Sequence, residues 1–575
     1  MNKQLKGVGA SAGIAIGKVY LLNSPQFDID DKPTNNPADE IKLYRQSIEA
    51  TVNQLAKIKN VAIQKIGADK AEVFEAHIQI ANDPEIKQEI ENTINNTKVN
   101  GAFAIDFVFD KYYEMFKNMD DVYFKERTAD VIDVKKRMLS NFLHLPLPDI
   151  ASIDQEVVVV AHDLSPSETA VLDKKYVKGF ITEIGGRTSH AAIMARTMEI
   201  PAVLGVNDIL TQAKNDSYIG LDGVSGEVEI EPNDIDSWKK RIDLFLKEKE
   251  ALKKYIHIAS TTIDGHVVKL GANIGKPNDA KTALANGAEG IGLYRSEFLY
   301  MDNDHWPTED EQFEGYKAVL EQMPDKLVVI RTLDIGGDKK LSYFQFPQEM
   351  NPFLGYRAIR FCLDNKDIFK VQLRALGRAS VYGKLGIMFP MIATIDEFKE
   401  AKALAEATFA ELRNEGHKVS NQIQLGMMTE IPAAAVIAKT FARYADFFSI
   451  GTNDLNQYTF ACDRMSEKVT YLYQPNNPSL LSLIKSTIDG GHSNNRWVGM
   501  CGEMAGDVYS IPILLGLGLD EFSMSATSIP KARMIINHLS FQECQKLANK
   551  ALTLETIDQV NNLVINFLRI KKILH

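Results

Sequence analysis

The sequence predicts a multidomain α/β protein: an α/β domain carrying an inserted four-helix unit, then a linker helix, then a C-terminal (β/α)8 TIM-type barrel. Three observations predict it. Helical periodicity runs from about Pro37 to about Leu143 between two stretches of strand character. A charged helical segment, Asp234 to Ile258, follows them. Beyond about Thr261, eight short apolar runs alternate with helical segments over roughly 300 residues, the count that closes a parallel barrel. The expected boundaries are 1–22 with 146–232 for the α/β domain, 23–145 for the insertion, 233–260 for the linker and 261–575 for the barrel.

Gly7 to Leu22 alternates small, glycine and branched residues, which predicts a strand hairpin. Helices are expected at Glu40–Lys65, Ala71–Thr97, Phe103–Lys117 and Val122–Leu143, broken at Gly67, Asn100-Gly101 and Met119-Asp120-Asp121. Strand character returns at Glu156–Ala161 and Val177–Thr182, a helix is expected at Ala191–Met198, and Tyr218–Ile230 closes the domain. An insertion joined at two points leaves such a core intact. In the linker, Ile235, Trp238, Ile242, Phe245 and Leu252 share a stripe, and the Lys/Glu run is a solvated face. Barrel strands are expected at Val267–Leu270, Gly290–Leu293, Leu327–Ile330, Leu385–Phe389, Ile423–Met428, Ala445–Ile450, Trp497–Met500 and Glu521–Met524. The alternative, a long doubly wound sheet, lacks a G-x-G-x-x-G after any strand.

A chain of 575 residues exceeds one ordinary core. Its formal net charge of −11 argues against a general nucleic-acid binder, which carries a basic face, and suits a basic partner protein. No apolar leader follows Met1 and no run of about eighteen apolar residues occurs, so a cytoplasmic protein is expected. Cys362, Cys462, Cys501 and Cys544 are scattered without a C-x-x-C pair, which predicts reduced thiols.

Chemistry concentrates in Gly185-Gly186-Arg187-Thr188-Ser189-His190-Ala191-Ala192-Ile193-Met194. A strand-to-helix turn there puts His190 at its mouth. Helix-start N–H groups, the Arg187 guanidinium and the Thr188 and Ser189 hydroxyls can cradle a dianion beside the ring. Imidazole suits phosphoryl acceptance because its neutral form is well populated near pH 7 and either nitrogen is nucleophilic. In the barrel, Arg295, Arg331, Glu430, Asn453-Asp454 and Cys501 follow successive strands, and barrels carry their sites at strand C-terminal ends. Arginine forks bind phosphate and carboxylate, and carboxylates hold a hard cation, so the set suits a phosphorylated carboxylic acid with Mg2+. Singly, each is more often an ion-pair partner or a turn residue; together they form a constellation.

The His190 string, extended by Ala195-Arg196-Thr197-Met198-Glu199-Ile200-Pro201-Ala202-Val203 and preceded by Asp163-Leu164-Ser165-Pro166-Ser167-Glu168-Thr169, resembles the phosphohistidine signature of phosphoenolpyruvate-utilising enzymes. The strings 290–299, 331–339, 351–360, 451–458 and 501–506 extend the likeness over nearly the whole chain, and together resemble the Enzyme I family of bacterial sugar phosphotransferase systems. The resemblance implies that His190 accepts the phosphoryl group of phosphoenolpyruvate and passes it to a histidine of the phosphocarrier protein HPr, releasing pyruvate. It implies that Thr169 hydrogen-bonds the imidazole, that Arg295, Arg331, Arg357 and Arg464 bind the phosphate with Asn453 and Asp454 in the same site, and that Glu430 and Asp454 ligate Mg2+. Cys501 would protonate the enolate. A homodimer through the barrel half is also implied. Because one histidine must serve both the barrel mouth and HPr, the helix after Asp234 and its junction near His257–Thr262 are the expected hinge. HPr is expected on the inserted helices, with Glu72, Phe74, Glu75, Asp83 and Glu85 as candidates. Glu183, Ala191 and Asn456 depart from the commonest pattern, and Glu183 puts the hydrogen bonding around the histidine turn in question. Pyruvate phosphate dikinases and phosphoenolpyruvate synthases share both parts but need a nucleotide-binding domain, for which the chain has no room. A non-catalytic regulator would be free to lose any of these groups, and all are present.

Overall fold

The computed structural model describes residues 3–573 apart from 23–26, 28, 67, 118–127, 146, 148–149, 151–152, 165–167, 170–171, 187–188, 302, 338, 340, 342 and 464–465. Its contacts divide the chain into two units, Met1–Lys249 and Glu250–His575. Among the described residues no helix is long and apolar enough to cross a membrane.

The first unit is built on an eight-stranded sheet in the order β1-β8-β7-β3-β4-β5-β6-β2. Its strands are β1 (Lys3–Lys6), β2 (Val8–Ser11), β3 (Ile14–Leu22), β4 (Val157–Ala161), β5 (Val177–Thr182), β6 (Ala202–Leu204), β7 (Tyr218–Asp222) and β8 (Glu227–Ile230). The expected hairpin within Gly7–Leu22 does not form. β2 pairs with β6 at one edge, while β3 lies between antiparallel β7 and parallel β4. Alternation marks strands but carries no information about their partners, and here tertiary pairing separates neighbours in sequence. β4 is buried along its whole length, as a central strand covered on both faces must be.

The helices leave after β3 and return before its neighbour β4. They are α1 (Pro37–Ile66), α2 (Ala68–Asn82), α3 (Pro84–Thr97), α4 (Gly101–Lys117) and α5 (Thr128–Leu143). The single helix expected over Ala71–Thr97 is two. Asp83 caps α3 by accepting the Glu85 and Ile86 N–H groups, and Pro84, which has no N–H, takes its first position. Tyr44, Ile90, Ile94, Ile105, Phe109 and Val134 form a core of their own between these helices. The first part of the expected Val122–Leu143 helix lies outside the described residues.

After α6 (His190–Met198), α7 (Ile235–Leu252) lays Trp238 on the β7–β8 hairpin. A Cβ on Gly220 would lie 2.5 Å from the indole, so only glycine allows this approach. The indole N–H donates to Glu229 at 2.5 Å, and Arg241 stacks on the ring while pairing with Asp222 and Glu227 at 3.0 Å. Of the expected stripe, only Trp238 is fully buried.

The second unit is a closed barrel of eight parallel strands. These are β9 (Lys269–Ile274), β10 (Gly290–Arg295), β11 (Leu327–Arg331), β12 (Lys384–Phe389), β13 (Gln424–Thr429), β14 (Phe447–Ile450), β15 (Trp497–Met500) and β16 (Glu521–Met524). Pairing of β16 with β9 closes the ring and places the first strand later than the apolar run Val267–Leu270 suggests. Leu293, Val329, Met388, Met428, Phe447 and Cys501 pack inside it, and a larger apolar layer fills the space beneath the surrounding helices.

Candidate active site

At the C-terminal ends of the barrel strands, Arg331 closes β11, Glu430 follows β13 and Cys501 follows β15. Each stands two residues beyond an inward-facing Val329, Met428 or Gly499, so the pleat turns all three toward the barrel axis. Arg331 is only 6 % exposed and pairs with Glu297 and, at 2.9 Å, with Asp334. Asp334 also receives Arg357 at 2.9 Å and Lys339 at 3.1 Å, and Arg357 reaches Asp454 at 3.5 Å. Against the penalty of burial, Arg331, Arg357 and Lys339 hold Asp334 well below the usual carboxylate range. Glu297, opposed by burial in the same way, is lowered by Arg331 and Lys339. The arginines are pushed further up in turn. Among the described residues, Nε of Arg331 and of Arg357 has no hydrogen-bond partner, which leaves buried donors for an oxyanion.

Burial, with the neighbouring Asp454 and Asp334 carboxylates, pushes Glu430 up to about 8, and its Oε1 accepts the Met391 N–H at 2.5 Å. Asp454 is near enough for its charge to act on Glu430. Among the described residues no group of three or more His, Cys, Asp and Glu is arranged to hold a metal. Asn453 is turned by the Tyr473 hydroxyl and the Glu503 N–H, both donating to its Oδ1 at 3.3 Å. Arg295 is exposed and makes no ion pair among the described residues. Burial pushes the Cys501 thiol up to about 11, so it carries its proton at neutral pH. All four cysteines are free.

The histidine turn is local. His190 opens α6, Ser189 caps that helix by accepting the Ala192 N–H at 3.3 Å, and the Ser189 N–H donates to the Gly186 carbonyl at 3.0 Å. Gly185 has φ 108°, a backbone that glycine adopts without strain. Thr169 is fully buried. Glu183, the departure noted in the sequence, accepts the Leu210 N–H at 3.3 Å and pairs with His162 at 2.8 Å. Arg187, Thr188 and Arg464 lie outside the described residues, as does the His190 side chain.

Three family models match in order: the PEP-utilising enzyme N-terminal model over residues 6–127, the mobile-domain model over 153–226 and the PEP-binding-domain model over 249–541. A phosphoenolpyruvate-protein phosphotransferase of Mycoplasma capricolum is 56 % identical over 570 residues, 99 % of both chains. The chain belongs to the PEP-utilising enzyme family. A phosphoenolpyruvate-protein phosphotransferase of Staphylococcus carnosus is 53 % identical and covers 98 % of this chain and 99 % of its own. A solution structure titled Enzyme I (nEIt) is 38 % identical over 42 % of this chain and 99 % of its own, with a TM-score of 0.39.

In this PEP-utilising enzyme Arg331 and Arg357 are fixed by Glu297 and Asp334, with Lys339 bridging the two acids, three residues to which the sequence pattern gives no role. All three lay in strings already singled out, and two acids within three residues of a strand-end arginine were the available signal. Phe74 is corrected: it is fully buried against Leu22, Leu55 and Leu164, so it is no docking residue. Glu85 is exposed, Glu75 is exposed and paired with Lys59 at 2.6 Å, and Asp83 is engaged as a helix cap. The Glu72 side chain lies outside what is described.

Proposed function

We propose that the chain transfers the phosphoryl group of phosphoenolpyruvate to His190 and from there to a histidine of HPr, releasing pyruvate, as the first step of a sugar phosphotransferase system. The observation that supports it most is the barrel mouth, where two buried arginines locked by Asp334 stand beside two carboxylates and a protonated thiol. Arg331 and Arg357 bind the phosphate from fixed positions, so little reorganisation is needed as charge develops. Arg295 adds an unengaged guanidinium and Asn453 an amide. The His190 ring attacks phosphorus in line, with the α6 N–H groups and the Ser189 turn receiving the dianion. Cys501 gives its proton to the enolate carbon, completing pyruvate.

Glu430 and Asp454 fit Mg2+, which takes one or two protein carboxylates and fills its remaining positions with phosphate oxygens and water. A raised Glu430 beside a second acid is the donor set that a cation keeps ionised. When bound, Mg2+ supplies neutralisation of charge on the migrating group. HPr docks on the inserted helices, where exposed Glu85 and the half-buried cap Asp83 offer negative charge to a basic partner. An imidazole serving the barrel and then HPr has to travel, and the hinge of this reading lies before Tyr255, because Arg533 and Asn537 hold the Tyr255, Ile256 and Ala259 carbonyls to the barrel and so fix the expected His257–Thr262 junction. The protein is cytoplasmic and dimerises through its barrel half.

Incubation with labelled phosphoenolpyruvate and Mg2+ tests the reading. The chain acquires acid-labile phosphate and loads HPr, while His190→Ala does neither. Carrier loading by His190→Ala overturns it, and robust ATP formation without HPr favours a dikinase.

A further inference from the structure

The barrel interior has two characters. From β11 to β15 it is mostly apolar, lined by Leu327, Val329, Met388, Met428, Phe447 and Trp497. Along β16 and β9 it carries Glu521, Ser523 and Asn273. Glu521 is buried, and its Oε2 has no hydrogen-bond partner among the described residues. Glycines on three strands make room for it. A Cβ on Gly271, Gly292 or Gly499 would lie 2.2, 2.2 or 2.3 Å from one of its oxygens. None of the three has a positive φ, so space for the carboxyl, and not backbone conformation, requires glycine there. Three strands give up side chains around an acid whose burial is costly, which packing alone does not explain.

Gly499 and Cys501 project from the same side of β15, so the carboxyl fills the layer directly beneath the thiol. Ser449 is the register partner of Gly499 on β14. Its hydroxyl is buried without a hydrogen-bond partner among the described residues, in the same layer as the Glu521 oxygen that fills the Gly499 space. On the other flank Ser523 Oγ shares the Gly292 space with Glu521 and donates to Asn273 Oδ1 at 2.7 Å. Asn273 Nδ2 donates to the Cys501 carbonyl at 2.9 Å. At the end of the barrel away from the mouth, Glu521 is in register with the exposed Lys269.

We propose that Glu521 is the proton reservoir behind Cys501, returning a proton to the thiolate through the Ser449 hydroxyl after each enolate has been protonated. The inference rests on the phosphotransfer reading. The Cys501 S–H bond breaks as the methyl C–H bond of pyruvate forms. The thiolate then takes the Ser449 hydroxyl proton, Ser449 takes that of the Glu521 carboxyl, and the carboxylate is reprotonated from water at the Lys269 end. One solvent proton is consumed per pyruvate, and no redox change occurs. Burial pushes Glu521 up to about 8, below the thiol at about 11, so the acid is largely protonated near neutrality and transfer to the thiolate runs downhill.

The test separates first from later turnovers in the full-length protein with Mg2+. Cys501 begins protonated, so Glu521→Gln forms its first pyruvate at the wild-type rate when enzyme exceeds phosphoenolpyruvate. In steady state with HPr it slows about ten- to a hundredfold. Glu521→Asp, which keeps an acid, recovers part of the loss. Ser449→Ala interrupts the path with Glu521 in place and shows the same split, which covers the case of a misfolded Glu521→Gln. Wild-type steady-state turnover in both variants, or equal slowing of the first and later turnovers, overturns the relay. A wild-type protein that loads no HPr counts against phosphotransfer itself, not against the relay.

Discussion

The barrel mouth and the histidine turn both present groups suited to a phosphoryl group, and they are made in opposite ways. At the mouth, Glu297, the Arg331–Asp334 segment, Arg357 and Asp454 come from four distant parts of the chain, and each buried charge is held by the next. At the turn, a left-handed glycine, a capping serine and the start of α6 come from a few consecutive residues. An isolated charge cannot be buried cheaply, so the mouth exists only when the barrel is closed, whereas the turn is satisfied by its own backbone.

The largest effect expected from this contrast is at Asp334. Asp334→Ala leaves Arg331 and Arg357 without their shared partner, destabilises the barrel by about 3–5 kcal/mol and abolishes phosphoenzyme formation. Urea unfolding measures it, and a loss below about 1 kcal/mol would break the view that the mouth is one interlocked unit. Next is Cys501→Ala, which keeps substrate and metal binding while pyruvate release slows on the order of 10²- to 10³-fold. Normal turnover would remove the thiol from the acid role.

A pH effect should separate the units. Glu430 and Glu521 stand at about 8 against an ordinary 4.5, so the folded barrel binds their protons more tightly than the unfolded chain does. Their contribution is full below pH 4.5 and is lost as pH rises through 8, at no more than about 1.4 kcal/mol per pH unit for each group. Mg2+ should remove the Glu430 share and Glu521→Gln the other. In the first unit Glu91 and Glu199 are instead lowered, by their hydrogen-bonded partners Arg45 and Lys249. Urea titrations followed by Trp306 and Trp497 in the barrel, and by Trp238 in the first unit, distinguish the two. A barrel whose stability is flat between pH 5 and 8 without metal contradicts these environments. The smallest effect is Ser189→Ala, which removes the α6 cap at about 1 kcal/mol and leaves the barrel unchanged by the same measurement.

All eight barrel strands were legible in the sequence because each is a short apolar run between helical segments, a local signal. The residues that end them, Arg331, Glu430 and Cys501, were legible for the same reason. The break at Asp83-Pro84 was missed because the apolar stripe continues through it, although the cap and the proline were both readable. Phe74 was misread because a helix shows its apolar side in sequence but not what covers it. Glu297 and Asp334 were passed over because an acid near an arginine is common, and only burial makes their pairing obligatory.

What the sequence determined by itself is local: periodicity, caps, the glycine turn at His190 and the order of polar residues after the strands. These follow from interactions within a few residues, which any chain carries wherever it folds. The tertiary structure alone decided that β2 and β3 part company, that the mouth's charges neutralise one another, and that Gly271, Gly292 and Gly499 surround Glu521. Pairing partners, burial and shared space depend on segments far apart in the chain, and they acquire an energy only when folding brings those segments together.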